Sequence, residues 1–319
     1  MLVKPLFAAL FGAGLPLFSW MFPACAQSCS FSVANVTFGT VDTLSGGQVN
    51  TTATLSANCT GLSLTRILIC PNIGTGSGGA NASFRQLSSG AGSLDYQLYS
   101  DAARTTIWGS YFWAYSARPP DLALTLGALG TGSQNYTIYA ALPAGQSSAS
   151  AGTYLSAFSG GDSIFYYRYS LLSDCSNQSG TQAQPAFQAS AMVAANCLVS
   201  TQDVNFGAHG VLTANVDAAG TVFVTCTPGS AFSVGLGPGA AGGGPTAREM
   251  RKGSEKVVYG LYQDAARSLP WGDGSVPGEA VSGTGNGASQ NLGVYGRVPA
   301  QSTPSAGTYS DTVVVTVTY

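Results

Sequence analysis

The stretch Tyr96–Arg104, YQLYSDAAR, recurs as YGLYQDAAR at Tyr259–Arg267, 163 positions further along the chain. Landmarks on both sides of this stretch also recur, in the same order. They are Arg85 and Arg248, Trp108-Gly109 and Trp271-Gly272, Cys29 and Cys197, Phe38-Gly39 and Phe206-Gly207, and Ala151–Tyr154 and Ala306–Tyr309. The repeated unit is roughly 160 residues long, well beyond the unit of a solenoid, which is roughly 20–50 residues. The chain therefore contains two copies of one domain.

Between the landmarks, apolar and polar residues alternate in short runs with the period of β-strands. The run Thr221–Cys226 alternates, and Asp311–Tyr319 places Val313, Val315, Val317 and Tyr319 on one face. Clusters of Gly, Ser, Asn and Pro separate the runs, and after residue 26 no segment of ten or more residues keeps the period of a helix. We therefore predict an all-β chain of two tandem antiparallel β-sandwiches.

The first 26 residues have the composition of a secretory signal. Lys4 is the only charge before the apolar run Leu6–Phe22, and Ala24-Cys25-Ala26 supplies small residues for cleavage. An uncleaved membrane span and lipidation of the cysteine in this site are the alternatives. We predict a signal peptide at 1–26, so that the mature chain begins at Gln27 and is secreted.

The repeat divides the mature chain into two predicted domains. We place the first at 27–175, a linker rich in Gln, Ser and Gly at 176–186, and the second at 187–319. We expect the next run to be the first strand of the second domain, and the alternative is a strand that completes the first domain. The alternating residues of this run are Phe187, Ala189, Ala191 and Val193.

Charged residues make up 8% of the chain, against about 25% in an average soluble protein. The formal net charge is −2, so the sequence predicts no basic surface for nucleic acid. With 45% apolar residues and so few charges, the chain has little electrostatic protection against self-association. This composition favours a subunit of an assembly over a free enzyme.

Six cysteines follow the predicted cleavage site, and secretion favours their pairing in disulfides. The first two and the last two are spaced by 30 and 29 positions, at matching places in the two copies. The remaining two have no counterparts and are paired by elimination. The expected disulfides are Cys29–Cys59, Cys197–Cys226 and Cys70–Cys175.

Two features could suggest an enzyme, and we predict that both are structural. Asp101 and Arg104 recur as Asp264 and Arg267 beside the Trp-Gly turns, which indicates a turn-stabilising aspartate with a local arginine partner. His209, the only histidine, lies in a Gly-rich loop, and no nucleophile, zinc-protease or phosphate-loop motif occurs. With no CxxC pair either, we expect no catalysis, no cofactor and no metal.

The landmarks of the second half together resemble the spore coat protein U domain. They are Cys197, Phe206-Gly207, Val222–Cys226, Arg248-Glu249-Met250, Tyr259–Arg267, Trp271-Gly272, Tyr295–Pro299 and Ala306–Asp311. The first half is a looser copy, without the Met after Arg85 or the Gly-Arg after Tyr139. This family supplies subunits of the archaic chaperone–usher pili of bacteria.

The resemblance implies an immunoglobulin-like fold in which the second sandwich lacks its last strand. An extended arm of the next subunit fills the resulting groove by β-augmentation. The implied partners are a periplasmic pilus chaperone, an outer-membrane usher and an adjacent pilin subunit, with no nucleic acid. The implied destination is the cell surface, reached through the periplasm. The residues expected to line the groove are Val313, Val315, Val317 and Tyr319.

A subunit that completes its neighbour needs a free arm before its first cysteine, and only Gln27 and Ser28 precede Cys29 in the predicted mature chain. We therefore expect a subunit that accepts a strand without donating one, at the pilus tip. Two-domain tip subunits of this kind attach through the first domain, which implies adhesion to a surface or glycan receptor and biofilm formation. An internal or minor pilus subunit and a secreted coat protein are the alternatives.

The first domain carries aromatic residues where its counterpart has the sequence Asp-Gly-Ser-Val. They are Tyr111, Phe112, Trp113 and Tyr115, directly after the first Trp-Gly pair. Rigid aromatic side chains bind with little loss of entropy, so we expect these residues in a projecting adhesive finger. Phe158 is expected in a second adhesive loop. The alternative for the finger is a strand with alternate residues buried.

Overall fold

The computed structural model describes residues 27–90, 92–170 and 174–319, and the predicted signal peptide lies outside them. Among the described residues the regular structure is β-strand throughout, apart from one 3-10 turn at Gly160–Asp162. The strands form four sheets, two for each copy of the repeat. The prediction of an all-β chain with two sandwiches is confirmed.

The first sandwich contains twelve strands. They are β1 (Ser28–Val33), β2 (Val36–Val41), β3 (Val49–Thr60), β4 (Arg66–Ile73), β5 (Arg85–Ser89), β6 (Gly92–Tyr99), β7 (Leu122–Thr125), β8 (Thr131–Leu142), β9 (Gly152–Phe158), β10 (Ser163–Tyr169), β11 (Thr181–Ala183) and β12 (Phe187–Val193). The larger sheet has the order β1-β3-β8-β6-β5-β9-β12-β2, and the smaller has the order β11-β10-β4-β7. Side chains from both sheets, such as Leu55 and Phe165, meet in one apolar core.

The second sandwich contains eight strands. They are β13 (Cys197–Gln202), β14 (Val216–Cys226), β15 (Ala231–Leu236), β16 (Arg248–Lys252), β17 (Glu255–Tyr262), β18 (Val281–Thr284), β19 (Gln290–Val298) and β20 (Val315–Thr318). Its sheets have the orders β13-β14-β19-β17-β16 and β18-β15-β20. The shared strands follow the order of the first sandwich, as the repeated sequence requires.

A buried arginine ties the two sheets together in each sandwich. The Arg85 guanidinium donates to the carbonyl oxygens of Ile73, Gly74 and Trp108, each at 2.7 Å. Arg248 repeats the arrangement with the carbonyl oxygens 163 positions further on, at 2.8–2.9 Å. One planar guanidinium carries enough N–H groups to satisfy all three carbonyls, which explains why this arginine recurs. Burial lowers the pKa of Arg85 to about 10.

The three disulfides join the pairs expected from the sequence. Cys29–Cys59 links β1 to β3, and Cys197–Cys226 links β13 to β14. Cys70–Cys175 links β4 to a position 105 residues away, after β10. This third bridge packs with Leu68 and Tyr166 in a small cluster of its own beside the smaller sheet.

The run at 187–193 belongs to the first sandwich, so the prediction that it opens the second domain is wrong. This run is β12, which pairs with β9 in antiparallel and with β2 in parallel orientation. Its four alternating apolar side chains are buried in the first core, and that burial decides its place. The predicted linker is also partly structured, because β11 pairs with β10. We therefore propose a domain boundary at 194–196.

Candidate functional site

In the first sandwich, β12 fills a slot between β9 and β2. Each inward residue of β12 faces an inward position of β9, from Phe187 opposite Phe158 to Val193 opposite Gly152. The rings of Phe187 and Phe158 stack with centroids 4.4 Å apart and an interplanar angle of 3°. Main-chain pairing holds β12 along its whole length on the β9 side and from Ala189 to Val193 on the β2 side.

The corresponding slot of the second sandwich is open. Its segment 307–313 is the counterpart of β9, since Ser310 bridges Arg251 as Leu155 bridges Ser88. On the other side of 307–313, the described part of the chain contributes no paired strand. The opposite border, 204–206, is the counterpart of the start of β2 and lies outside any strand.

One aromatic pair in the wall of the open slot has the same geometry as its counterpart in the filled slot. Phe206 and Tyr259 meet edge to face at 6.0 Å and 68°, and their counterparts Phe38 and Tyr96 meet at 5.9 Å and 73°. Burial differs, because six apolar wall positions are buried in the first sandwich and only half-buried in the second. These pairs are Val36 and Val204, Phe38 and Phe206, Leu87 and Met250, Tyr154 and Tyr309, Phe158 and Val313, and Phe165 and Val317.

The predicted groove residues differ in their positions. Val313, Val315 and Val317 are half-buried beside the second core, and their role in a groove stays a prediction. Tyr319 lies at the junction with the first sandwich instead, where its hydroxyl is 3.4 Å from the Asn196 side-chain oxygen. Sequence reasoning missed Val204 and Phe206 on the opposite border and Tyr309 on the same border as Val313, although each of these residues has a counterpart in the first copy.

The aromatic residues after the first Trp-Gly pair fold back on the sandwich. The Trp113 ring covers the Arg85 guanidinium at 4.5 Å and its indole N–H donates to the Ala117 carbonyl. The Tyr115 hydroxyl donates to the Ala80 carbonyl at 3.1 Å. Only Phe112 is prominently exposed, at 50%. The segment is a compact turn rather than a strand, and its adhesive role stays a prediction.

Phe158 is fully buried, so its assignment to an adhesive loop is wrong. It ends β9 with its side chain in the core, stacked on β12. Three residues without counterparts, 159–161, follow it and turn the chain toward β10. This insertion lies at the surface, whereas the aromatic ring before it points inward.

Exposed leucines cluster at one end of the first sandwich, where two turns lie side by side. The Gly61 amide donates to the Gly130 carbonyl oxygen at 2.8 Å and joins the β3–β4 turn to the β7–β8 turn. On these turns Leu62, Leu64 and Leu129 are exposed by 56%, 76% and 92%. Leu64 has a φ of +58°, a backbone conformation that is uncommon for a residue other than glycine. We call this surface the leucine pole.

The leucine pole lies at the end of the first sandwich opposite the second. The 12 residues of β3, about 40 Å in extended form, separate it from the base that contacts the second sandwich. At that base the Ala151 amide donates to the Pro228 carbonyl at 3.3 Å. Pro228 lies in the turn after β14, the counterpart of the turn after β3. In the second sandwich, this end therefore contacts the domain that precedes it. In the first sandwich, the equivalent end displays exposed leucines.

The polar candidates perform structural tasks. The Asp101 carboxylate accepts from the amides of Thr105 and Thr106, and these bonds help to lower its pKa. Arg104 donates to backbone carbonyls of Ala102 and Ala140, so the expected aspartate–arginine pairing is replaced by two separate backbone contacts. No group of metal-ligating side chains occurs among the described residues. Within the same residues, no helix is long and apolar enough to cross a membrane.

The family model of the Spore Coat Protein U domain matches residues 18–159 and 183–316. The chain belongs to the spore coat protein U domain family. The second match begins before β12, so the family pattern assigns this strand to the second copy, whereas its pairing assigns it to the first sandwich. In this spore coat U chain, a strand that the family pattern counts with the second copy thus completes the first sandwich.

One relative is similar in sequence and one solved structure is similar in fold. Protein U of Myxococcus xanthus is 34% identical over 129 residues, covering 36% of this chain and 71% of that protein. The solved complex of the chaperone CsuC with the tip adhesion subunit CsuE, from archaic chaperone–usher Csu pili of Acinetobacter baumannii, matches in fold. The TM-score is 0.53 at 20% identity, over 92% of this chain and 100% of that chain. This family and this immunoglobulin-like fold are not those of an enzyme.

Proposed function

We propose that this spore coat U chain is the tip subunit of a chaperone–usher pilus. Its second sandwich accepts the donor strand of the adjacent pilin, and its first sandwich attaches the bacterium to a surface and promotes biofilm formation. The observation that carries the proposal is the open slot of the second sandwich beside the filled slot of the first. One fold in one chain provides both the empty and the completed state.

An open slot with half-buried apolar walls is an aggregation hazard, which is the reason for a chaperone. Val204 and Phe206 on one border and Val313 on the other offer an apolar surface that a chaperone strand would cover in the periplasm. At an outer-membrane usher, the arm of the next subunit would then replace the chaperone. The route of export is therefore periplasm, usher and cell surface.

Two features support the tip position, the place of β12 and the exposed leucine pole. The arm-like run before Cys197 is already consumed inside the chain as β12. The pole that contacts a preceding domain in the second copy carries solvent-exposed leucines in the first. A head-to-tail array whose leading pole is apolar and unoccupied suits attachment to apolar surfaces or to the faces of sugars.

The acceptor role is tested by closing the slot within the intact mature chain. A copy of residues 186–194 is joined after Tyr319 through a flexible linker of about eight residues, long enough to reach the Val313 end. We expect the parent chain to require a co-expressed pilus chaperone and to form a 1:1 complex with it. The closed chain should be soluble alone and melt at a higher temperature. A matched strand with Ala189→Asp and Ala191→Asp should give no gain.

If the parent chain is a stable monomer that is indifferent to chaperone and appended strand, the acceptor role is refuted.

The adhesive role has its own test, the triple replacement Leu62→Ser, Leu64→Ser and Leu129→Ser. Attachment should be lost while secretion and assembly persist. Leu269→Ser, at an exposed leucine of the second sandwich, is the control, and unchanged attachment of the triple variant would exclude the leucine pole.

A further inference from the structure

The filled slot specifies the strand that the open slot accepts, an inference that rests on the proposed acceptor role. β9 and its counterpart differ by a constant 155 positions from Gly152 to Phe158. A strand seated like β12 would therefore run antiparallel to 307–313. Its inward residues would face Val313, Asp311, Tyr309 and Gly307, in the order in which Phe187, Ala189, Ala191 and Val193 face β9.

The open slot has smaller wall side chains at the end where the strand would begin. In the first sandwich this end holds Phe158 and Phe165 in the core, and Phe187 stacks on Phe158. The counterparts of Phe158 and Phe165 in the second sandwich are Val313 and Val317, which are half-buried. Two phenylalanines are replaced by two valines, so the wall leaves more space there for the incoming side chain.

The middle of the open slot has no such additional space. Asp311 stands where the first sandwich has Ser156, and its carboxylate accepts from the Tyr259 hydroxyl at 2.6 Å and the Ala240 amide at 2.8 Å. Tyr309 stands where the first sandwich has Tyr154. Alanine faces both positions in the filled slot, and the larger carboxylate leaves no room for a larger residue.

We propose that the occupant is an extended arm of another subunit with a defined pattern of inward residues. Its first inward residue is an aromatic group at least as large as phenylalanine, which fills the space beside Val313 and Val317. Its next two inward residues are small. Its C-terminal end leaves the slot at Gly307, so the donor subunit follows the second sandwich as that sandwich follows the first.

The test uses the intact mature chain and labelled synthetic peptides based on residues 186–194. Because tethered β12 occupies the first slot, binding of a peptide reports on the second. The position of Phe187 is varied to Trp, retained as Phe, or reduced to Ala, and fluorescence anisotropy gives each Kd. We expect the Trp peptide to bind most tightly and the Ala peptide at least tenfold more weakly.

Protein variants locate the preference. Val313→Phe restores the wall of the first sandwich, and the Trp peptide should then lose its advantage over the Phe peptide. Val314→Phe makes the same change at the exposed neighbouring position and should leave the order unchanged. An Ala peptide that binds within twofold of the Trp peptide overturns the inferred pattern while leaving the acceptor role intact. Failure of every peptide to bind removes the acceptor role and the inferred pattern together.

Discussion

Replacement of Phe187 by alanine tests whether β12 completes the first sandwich. The side chain is buried in the first core and stacks on Phe158 with ring centroids 4.4 Å apart. Truncation of a buried phenylalanine costs about 3–5 kcal/mol, and the stacked pair contributes roughly 0.5–1.5 kcal/mol of this through mutual contact. Phe187→Leu, which retains part of the volume, should cost about half as much.

The assay is hydrogen exchange followed by mass spectrometry, which reads each sandwich of the intact chain separately. For Phe187→Ala, exchange in β3 and β8 should accelerate by roughly 10²–10⁴-fold, since tenfold corresponds to about 1.4 kcal/mol. Exchange in β14 and β19 should stay unchanged and serves as the internal reference. The double variant Phe158→Ala, Phe187→Ala should lose less stability than the sum of the two single variants, because both single changes remove the same ring contact.

Met192→Ala is the matched control on the same strand. Its side chain points away from the core and is 48% exposed, so the stability should change by less than about 0.5 kcal/mol. Equal exchange rates in β3 and β8 for Phe187→Ala and Met192→Ala would refute the reasoning. The strand would then be a passive connection rather than part of the first core.

Three further changes probe the rest of the framework. The double variant Cys70→Ser, Cys175→Ser opens a bridge across 105 positions and should destabilise the first sandwich by about 2–5 kcal/mol, measured by urea denaturation. Arg248→Met leaves buried carbonyl oxygens without donors and should cost the second sandwich at least about 2 kcal/mol in the same assay; an unchanged midpoint would contradict the clamp. A hydrogen bond from the Leu269 amide is the main cause that holds the pKa of Asp264 below its ordinary value of 3.8. The stabilisation by the Asp264 carboxylate should therefore be complete above pH 3.8 and be lost as the pH falls through the lowered pKa. The urea midpoint of Asp264→Asn should vary less with pH over that acid range.

Much of the fold was predictable because its signals are local or repeated. Alternating runs indicate strands wherever they occur, and two copies of the sequence constrain the pairing of cysteines that a single copy leaves open. The second copy also indicates which residues are structural. Asp264 occupies the same position in its turn as Asp101. A residue that served a receptor site in the first domain alone would not need to recur in the second, so the recurrence indicates a structural role.

The errors share one physical cause, which is that alternation does not say which core a strand joins. Phe187–Val193 suits either sandwich by its pattern, and only tertiary pairing places it with β9 and β2. Phe158 reads as a loop residue beside Gly and Ser, yet its neighbour on β12 buries it. The leucine pole carried a weak signal, since three leucines isolated among turn residues have no periodicity that could mark them.

The orientation of β12 has a mechanical consequence. Tension between an attached tip and the rest of a pilus would enter the first sandwich at Val193 and run along the strand. The main-chain hydrogen bonds to β9 and β2 lie across that direction, so they would be loaded together in shear instead of being opened one after another. An arm seated in the second sandwich in the same orientation would carry its load in the same way. In a fibre with this arrangement, all the main-chain hydrogen bonds of the inserted strand would resist a pulling force together at each joint.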